Sequence, residues 1–110
     1  VISGFFVAAA GVAETDGPPG AAALVRALLR TGAEARLCGD VRCEPVTRAC
    51  AEALGVGDRY VSSEGFDPWD WGADLLVFVE RLGRSVDGSY RDMRLEDVSA
   101  TTASLDDWAL

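Results

Sequence analysis

Glu14-Thr15-Asp16-Gly17-Pro18-Pro19-Gly20-Ala21 lies between an apolar run and a helical one, and its reading decides the fold. Before it, Val1-Ile2-Ser3-Gly4-Phe5-Phe6-Val7 is almost continuously apolar and rich in β-branched and aromatic residues. That is the pattern of a strand buried on both faces, and Ala8 to Gly17 then reads as loop. After it, Ala21, Leu24, Val25, Leu28 and Leu29 recur at helical spacing. Pro18 or Pro19 suits the first turn, Asp16 or Gly17 the N-cap, and Gly32 the stop. Apolar strand, polar glycine-containing loop and proline-started helix together describe the first βα turn of an open parallel sheet. Such folds hold their ligands at the carboxyl ends of the strands.

The alternation continues along the chain. Ala33 to Cys38 reads as a strand leaving into a Gly39-Asp40 turn. Pro45 opens a second helix with Val46, Ala49, Cys50, Ala53 and Leu54 on one face, closed by Gly55 and Gly57. Asp58 to Ser62 is a weaker strand. Ser63 to Gly72 is broken by Pro and Gly and carries Phe66, Trp69 and Trp71; it reads as a short crossover packed down by its aromatics, with ligand stacking by Trp69 or Trp71 as the alternative. Asp74 to Val79 is the clearest strand, and Glu80 stands at its carboxyl end. Arg81 to Tyr90 is a polar loop containing Asp87-Gly88. The tail from Arg91 predicts either a helix from Ser104 onward or a segment that needs a partner surface. The expected fold is one α/β domain over residues 1–110, a three-layer, open, mainly parallel, Rossmann-like sheet. Parallel strands would bring Glu14, Asp16, Asp40, Glu80 and Asp87 to one edge.

Composition narrows the chemistry. Ten basic residues against eighteen acidic ones give a formal charge of −8, which repels phosphate backbones and anionic lipid and so argues against nucleic-acid or membrane partners. Every basic residue is an arginine. Without lysine there is neither Schiff-base chemistry nor a P-loop. Without histidine there is no Ser-His-Asp or Cys-His pair and no histidine-ligated metal. Cys38, Cys43 and Cys50 lack CxxC spacing and read as free thiols of a reducing compartment, two of them in or near the core. No apolar run approaches a membrane span and no targeting segment is visible, so the expected location is cytoplasmic, with a mitochondrial one left open.

The stretch Glu14-Thr15-Asp16-Gly17-Pro18-Pro19-Gly20-Ala21 resembles the opening motif of the D-glutamate cyclase family. Val79-Glu80-Arg81-Leu82-Gly83-Arg84-Ser85-Val86-Asp87-Gly88-Ser89-Tyr90 is similar to a second motif of that family, and Asp92-Met93-Arg94-Leu95-Glu96-Asp97-Val98-Ser99 to a third. All three occur in the family's order. Asp92 replaces the family's usual asparagine and Leu95 its glycine. The family domain also runs beyond this length, with a glycine-rich segment near its end that has no counterpart here, so a partial or truncated member is expected. The resemblance implies an α/β protein that converts D-glutamate to 5-oxo-D-proline and water, a carbon–oxygen lyase associated with a divalent metal.

Cyclisation needs a base for the ammonium, an electrophile on the γ-carboxylate and a donor for the departing oxygen. Glu14, Asp16, Glu80 and Asp87 are the candidate catalytic carboxylates, with Thr15, Gly17, Arg81, Arg84 and Arg94 as candidate substrate contacts. Two like charges about 4 Å apart repel by roughly 4 kcal/mol at an effective dielectric of 20, so an acidic crevice needs positive charge to hold glutamate. Arginine clamps supply one source. A divalent Mn, Mg or Ca ion on Glu14, Asp16, Glu80 and Asp87 would supply another. Each residue also has a plainer reading. Asp16 is a helix cap, Asp40 and Asp87 are turn residues, Glu80 a surface ion-pair partner of Arg81 or Arg84, and Arg91 to Glu96 a solvated face. Two further functions compete with the cyclase: a non-catalytic binding or assembly module completed by a partner chain or domain, and an α/β domain that binds an acidic metabolite.

Overall fold

A computed structural model describes residues 1–109. Its opening apolar run is not one strand. β1 (Ile2–Ser3) stops at Gly4, whose φ of +124° is open to glycine, and a Cβ there would lie 2.9 Å from the Cβ of Cys43. Beyond that break the chain folds back on itself. β2 (Phe6–Val7) pairs antiparallel with β3 (Val12–Ala13) in a separate ribbon, so part of the expected Ala8 to Gly17 loop is strand.

Helix α1 (Gly17–Arg30) starts and stops where the sequence predicts. It buries Ala21, Ala22 and Val25 and half-buries Leu24, Leu28 and Leu29. Gly32, at φ +86°, ends it, donating its amide to the Leu29 carbonyl at 3.1 Å. β4 (Leu37–Gly39) follows and is buried throughout. In α2 (Glu44–Ala53) the inward face differs from the expected one: Thr47 and Ala51 are buried with Cys50 and Leu54 partly so, while Ala49 and Ala53 are exposed. A polar residue takes the inside because the Thr47 hydroxyl donates to the Cys43 carbonyl at 3.0 Å, and because Gly39 leaves it room.

β5 (Tyr60–Ser62) and β6 (Phe78–Val79) complete the sheet. The strand expected over Asp74 to Val79 is only two residues long. It lies at the edge, pairs with β1 alone, and leaves Leu75 largely exposed. Strand order is β5-β4-β1-β6 and every pairing is parallel, with Ile2 opposite both Cys38 and Phe78. The α/β class and the mainly parallel sheet are therefore as predicted.

Because side chains alternate along each strand, the two sheet faces carry different cores. On one face Leu37 and Tyr60 pack with Ala21, Ala22, Val25, Ala51 and Val56 from the two helices and their flanks. On the other, Ile2 and Cys38 pack under Leu105, with Phe66, Phe78 and Trp108 around them. This second cover is the aromatic crossover plus a 3-10 turn over Leu105–Ala109, where a helix from Ser104 had been one expectation. Trp108 meets Phe66 edge-on at 6.2 Å, and its carbonyl accepts from the Trp69 indole at 2.9 Å. Leu110 lies outside the described residues.

The chain steps from β1 to β4 to β5 on one side, then returns to place β6 on the other side of β1. That reversal falls between β1 and β6, whose carboxyl ends are the place where open α/β sheets bind ligands.

Candidate functional site

Three elements meet at this reversal: the end of β1 (Ser3), the end of β6 (Val79, then Glu80) and the head of α1 (Gly17). A Cβ on Gly17 would fall 2.6 Å from Glu80 Cβ, 3.3 Å from Glu80 Cγ and 3.1 Å from Ser3 Oγ. Glycine is required here by close approach, and the first and second motif stretches touch through it. Glu80 itself sits at φ +48°, in the left-handed region, which costs a side-chain-bearing residue about 1–2 kcal/mol. Glu80 is exposed, so this strained position carries its carboxylate at the surface of the junction. Below it Ser3 is fully buried, and its hydroxyl has no hydrogen-bond partner among the described residues.

Asp16 occupies the N-cap position with helical dihedrals and makes no capping hydrogen bond through its side chain, leaving an exposed carboxylate beside the helix head. Thr15 is exposed as well. Glu14 is half-buried at the end of the β2–β3 ribbon, its amide donating to the Phe5 carbonyl at 2.8 Å.

Arg81, next to Glu80, faces inward. Its side chain is 1% exposed and forms an ion pair with Asp40, itself 3% exposed, at 3.0 Å. The same guanidinium donates to the carbonyls of Gly4 and Ala103, while Asp40 accepts the amides of Ala103 at 2.8 Å and Arg42 at 3.1 Å. Asp40 is thus the turn residue the sequence suggests, capping the 3-10 turn Val41–Cys43, and in addition the buried counter-ion of Arg81. Arg84 pairs with Asp106 and Asp107 and lies over the Tyr90 ring. Arg94 is exposed, and its guanidinium makes no ion pair among the described residues.

Asp87 belongs to a turn. One oxygen accepts from the Ser89 amide at 3.0 Å and the Ser89 hydroxyl at 2.6 Å; the other pairs with Arg91 at 2.9 Å. The serine hydroxyl first, and Arg91 next, hold its carboxyl well below the usual carboxylate range. With both oxygens engaged, Asp87 does not complete the four-carboxylate ligand set with Glu14, Asp16 and Glu80. Among the described residues no three His, Cys, Asp or Glu side chains are grouped to hold a metal ion. The residues present do not fit the expected cation, and no step below is routed through one.

Cys38 and Cys43 offer no ready nucleophile. Burial pushes the Cys38 thiol up to about 12 and the Cys43 thiol up to about 11, so both stay protonated near neutrality. Sequence reasoning passed over Ser3, whose one signal was a hydroxyl inside an otherwise apolar run. Nothing local marked the Asp40–Arg81 pair, because its partners are far apart in the chain.

Among the described residues no helix is long and apolar enough to cross a membrane. A search of curated proteins found no match. One family model does match, described as D-glutamate cyclase-like, C-terminal, and it covers residues 1–110. With the opening motif and Glu80 brought together at the sheet's reversal, the match spans both halves of that junction, and the chain belongs to the D-glutamate cyclase-like family.

Proposed function

We propose that this domain is a lyase that closes D-glutamate to 5-oxo-D-proline with loss of water. The observation carrying the reading is Glu80, held in a left-handed backbone against the head of α1 at the switch point of a parallel sheet. In the proposed reaction Glu80 takes a proton from the α-ammonium. The freed amine attacks the γ-carboxylate carbon, a C–N bond forms, and one C–O bond breaks. Nitrogen sheds two protons in all, and both leave with the departing oxygen as water. Glu80 carries protons in both directions, as a general base and then a general acid.

Asp16, exposed beside Gly17, is the proposed second contact for the ammonium. Thr15 and Arg94, both exposed, are the proposed contacts for the distal carboxylate, where an arginine fork and a hydroxyl offset its charge. Arg81 has a different part: paired to Asp40, it anchors the backbone next to Glu80.

Incubation of the purified protein with D-glutamate, with 5-oxoproline followed by NMR, tests the reading. Wild type is expected to form product. Glu80→Gln is expected to lose about 10²–10⁴-fold in turnover, the range of a general acid–base group, with an unchanged melting temperature. No product from wild type retires the cyclase reading.

A further inference from the structure

The amino ends of the parallel strands border an open cleft, on the opposite edge of the sheet from Glu80. Its volume is about 680 Å³, within the range of about 300–1,000 Å³ in which small ligands are held. Arg36, one residue before β4, and Val77, one residue before β6, both line it. Leu28 from the last turn of α1, Ala35, Trp71 of the aromatic crossover and Leu75 beyond it make the rest of the wall mainly apolar. Arg36 is the polar group here that the fold does not use. Arg59, Arg81 and Arg91, the other arginines of limited exposure, each pair with a carboxylate, at 3.2, 3.0 and 2.9 Å. Among the described residues Arg36 has no such partner. Its Nε is buried without a hydrogen bond, and its guanidinium carbon lies 5.6 Å from the centre of the Trp71 ring. The indole offsets part of the charge. A buried donor left unpaired still costs about 1–3 kcal/mol, and more when it is charged, so the cleft asks for an acceptor. Glu34 and Asp74 also border the cleft and limit the charge of what can enter. Glu34 is taken by Arg59, and Asp74 stands exposed, where water and salt screen it. One negative charge on a ligand balances Arg36; a second would meet these two carboxylates.

We propose that this cleft binds a monocarboxylate with an apolar body. Arg36 donates from Nε and one terminal nitrogen to the two carboxylate oxygens, the side-on fork that arginine offers a planar anion. Leu28, Trp71, Leu75 and Val77 cover the hydrocarbon, and Leu75, largely exposed, gains burial from the ligand. The site uses none of Asp16, Gly17 or Glu80, so it stands whether or not the domain closes D-glutamate.

Octanoate, kept below micellar concentrations, is the probe; octanamide lacks its charge and acetate its hydrocarbon. Binding is read in NMR titrations at the Arg36 Nε–H, the Leu75 methyls and the Glu80 amide. Octanoate is expected to shift the first two along a saturating curve and to leave Glu80 unmoved. It is expected to bind about tenfold or more tightly than either control. Arg36→Gln is expected to bind octanoate about tenfold or more weakly, while melting at the temperature of wild type or higher. Leu75→Asp changes an exposed side chain and puts a like charge in the cleft, so it is expected to weaken octanoate by a similar factor with the fold intact. Should Arg36→Gln fail to fold, Leu75→Asp decides alone. Unchanged affinity in a folded variant overturns the proposal. So does either control binding as tightly as octanoate, a response at Arg36 that never saturates, or shifts at Glu80 in place of Arg36.

Discussion

Residues 1–62 and residues 63–109 are stabilised by different physics. The first part holds both α-helices and three of the four strands of the parallel sheet, and its interior is mainly apolar, with Ser3, Asp40 and Thr47 buried among the hydrophobic side chains: Val25 and Leu37 are fully buried, each contributing about 1.5–3 kcal/mol. The second part has one two-residue strand and short 3-10 turns. There, aspartates grip the chain. Asp67, Asp87, Asp92 and Asp97 each accept the amide two residues on, from Trp69, Ser89, Arg94 and Ser99, at 2.8–3.0 Å. Much of the acidic excess is therefore turn-forming and not ligand-binding. The junction of the two motif stretches lies on the seam between the parts, with Gly17 and Ser3 from one and Glu80 from the other.

Asp40–Arg81 is a buried ion pair across the seam, and removing one partner should do the most damage. Arg81→Met leaves an uncompensated buried carboxylate, at an expected cost of about 3–5 kcal/mol in urea unfolding. Adding Asp40→Asn removes the orphaned charge and should recover about half of that or more. A single-variant cost under about 1 kcal/mol would mean that the two parts are joined some other way.

The contact at Gly17 gives a smaller and more local effect. Gly17→Ala forces a Cβ to within 2.6 Å of Glu80 Cβ and should cost about 1–3 kcal/mol. Glu80→Gly removes both the opposing Cβ and the left-handed strain, so alone it should leave stability equal or raised. Combined, the two should show a coupling of about 1 kcal/mol or more in a double-mutant cycle. Strict additivity would break the seam as described.

The smallest expected change lies wholly within the second part. Leu95 has φ +64° with 73% of its surface exposed. Leu95→Gly relieves the left-handed strain while losing little burial, and should raise stability by about 0.5–1 kcal/mol after glycine's own entropy is counted. A loss of stability would show that the leucine side chain is held by packing.

Legibility in the sequence follows the same division. α1 could be read from Pro18 to Gly32 because its signals are local and periodic. The parallel class could be read from the alternation of strands and helices. Gly4 was visible, yet only a backbone at φ +124° makes it a break in what otherwise reads as one strand. Thr47 on the inner face of α2 could not be read, because its acceptor is the carbonyl of Cys43 and its space comes from Gly39 in another element. Within the site, Glu80 stood out as a charge ending an apolar run. The inward turn of Arg81 did not, since an arginine's direction depends on a counter-ion supplied elsewhere in the chain. Asp87-Gly88 carried its turn openly, and the turn is what forms.

One contact also bears on how relatives of this chain can be compared. Asp40 and Arg81 seize position 103 by its amide and its carbonyl, and the alanine methyl takes no part in those bonds. A small residue with a backbone N–H could stand there and be fastened as firmly; proline would lose the bond to Asp40, and a large side chain would press on the Ile2–Leu105 cluster that Ala103 packs against. Drift at position 103 would thus conceal a fixed mooring, while joint retention of an acid at 40 and an arginine at 81 would reveal it.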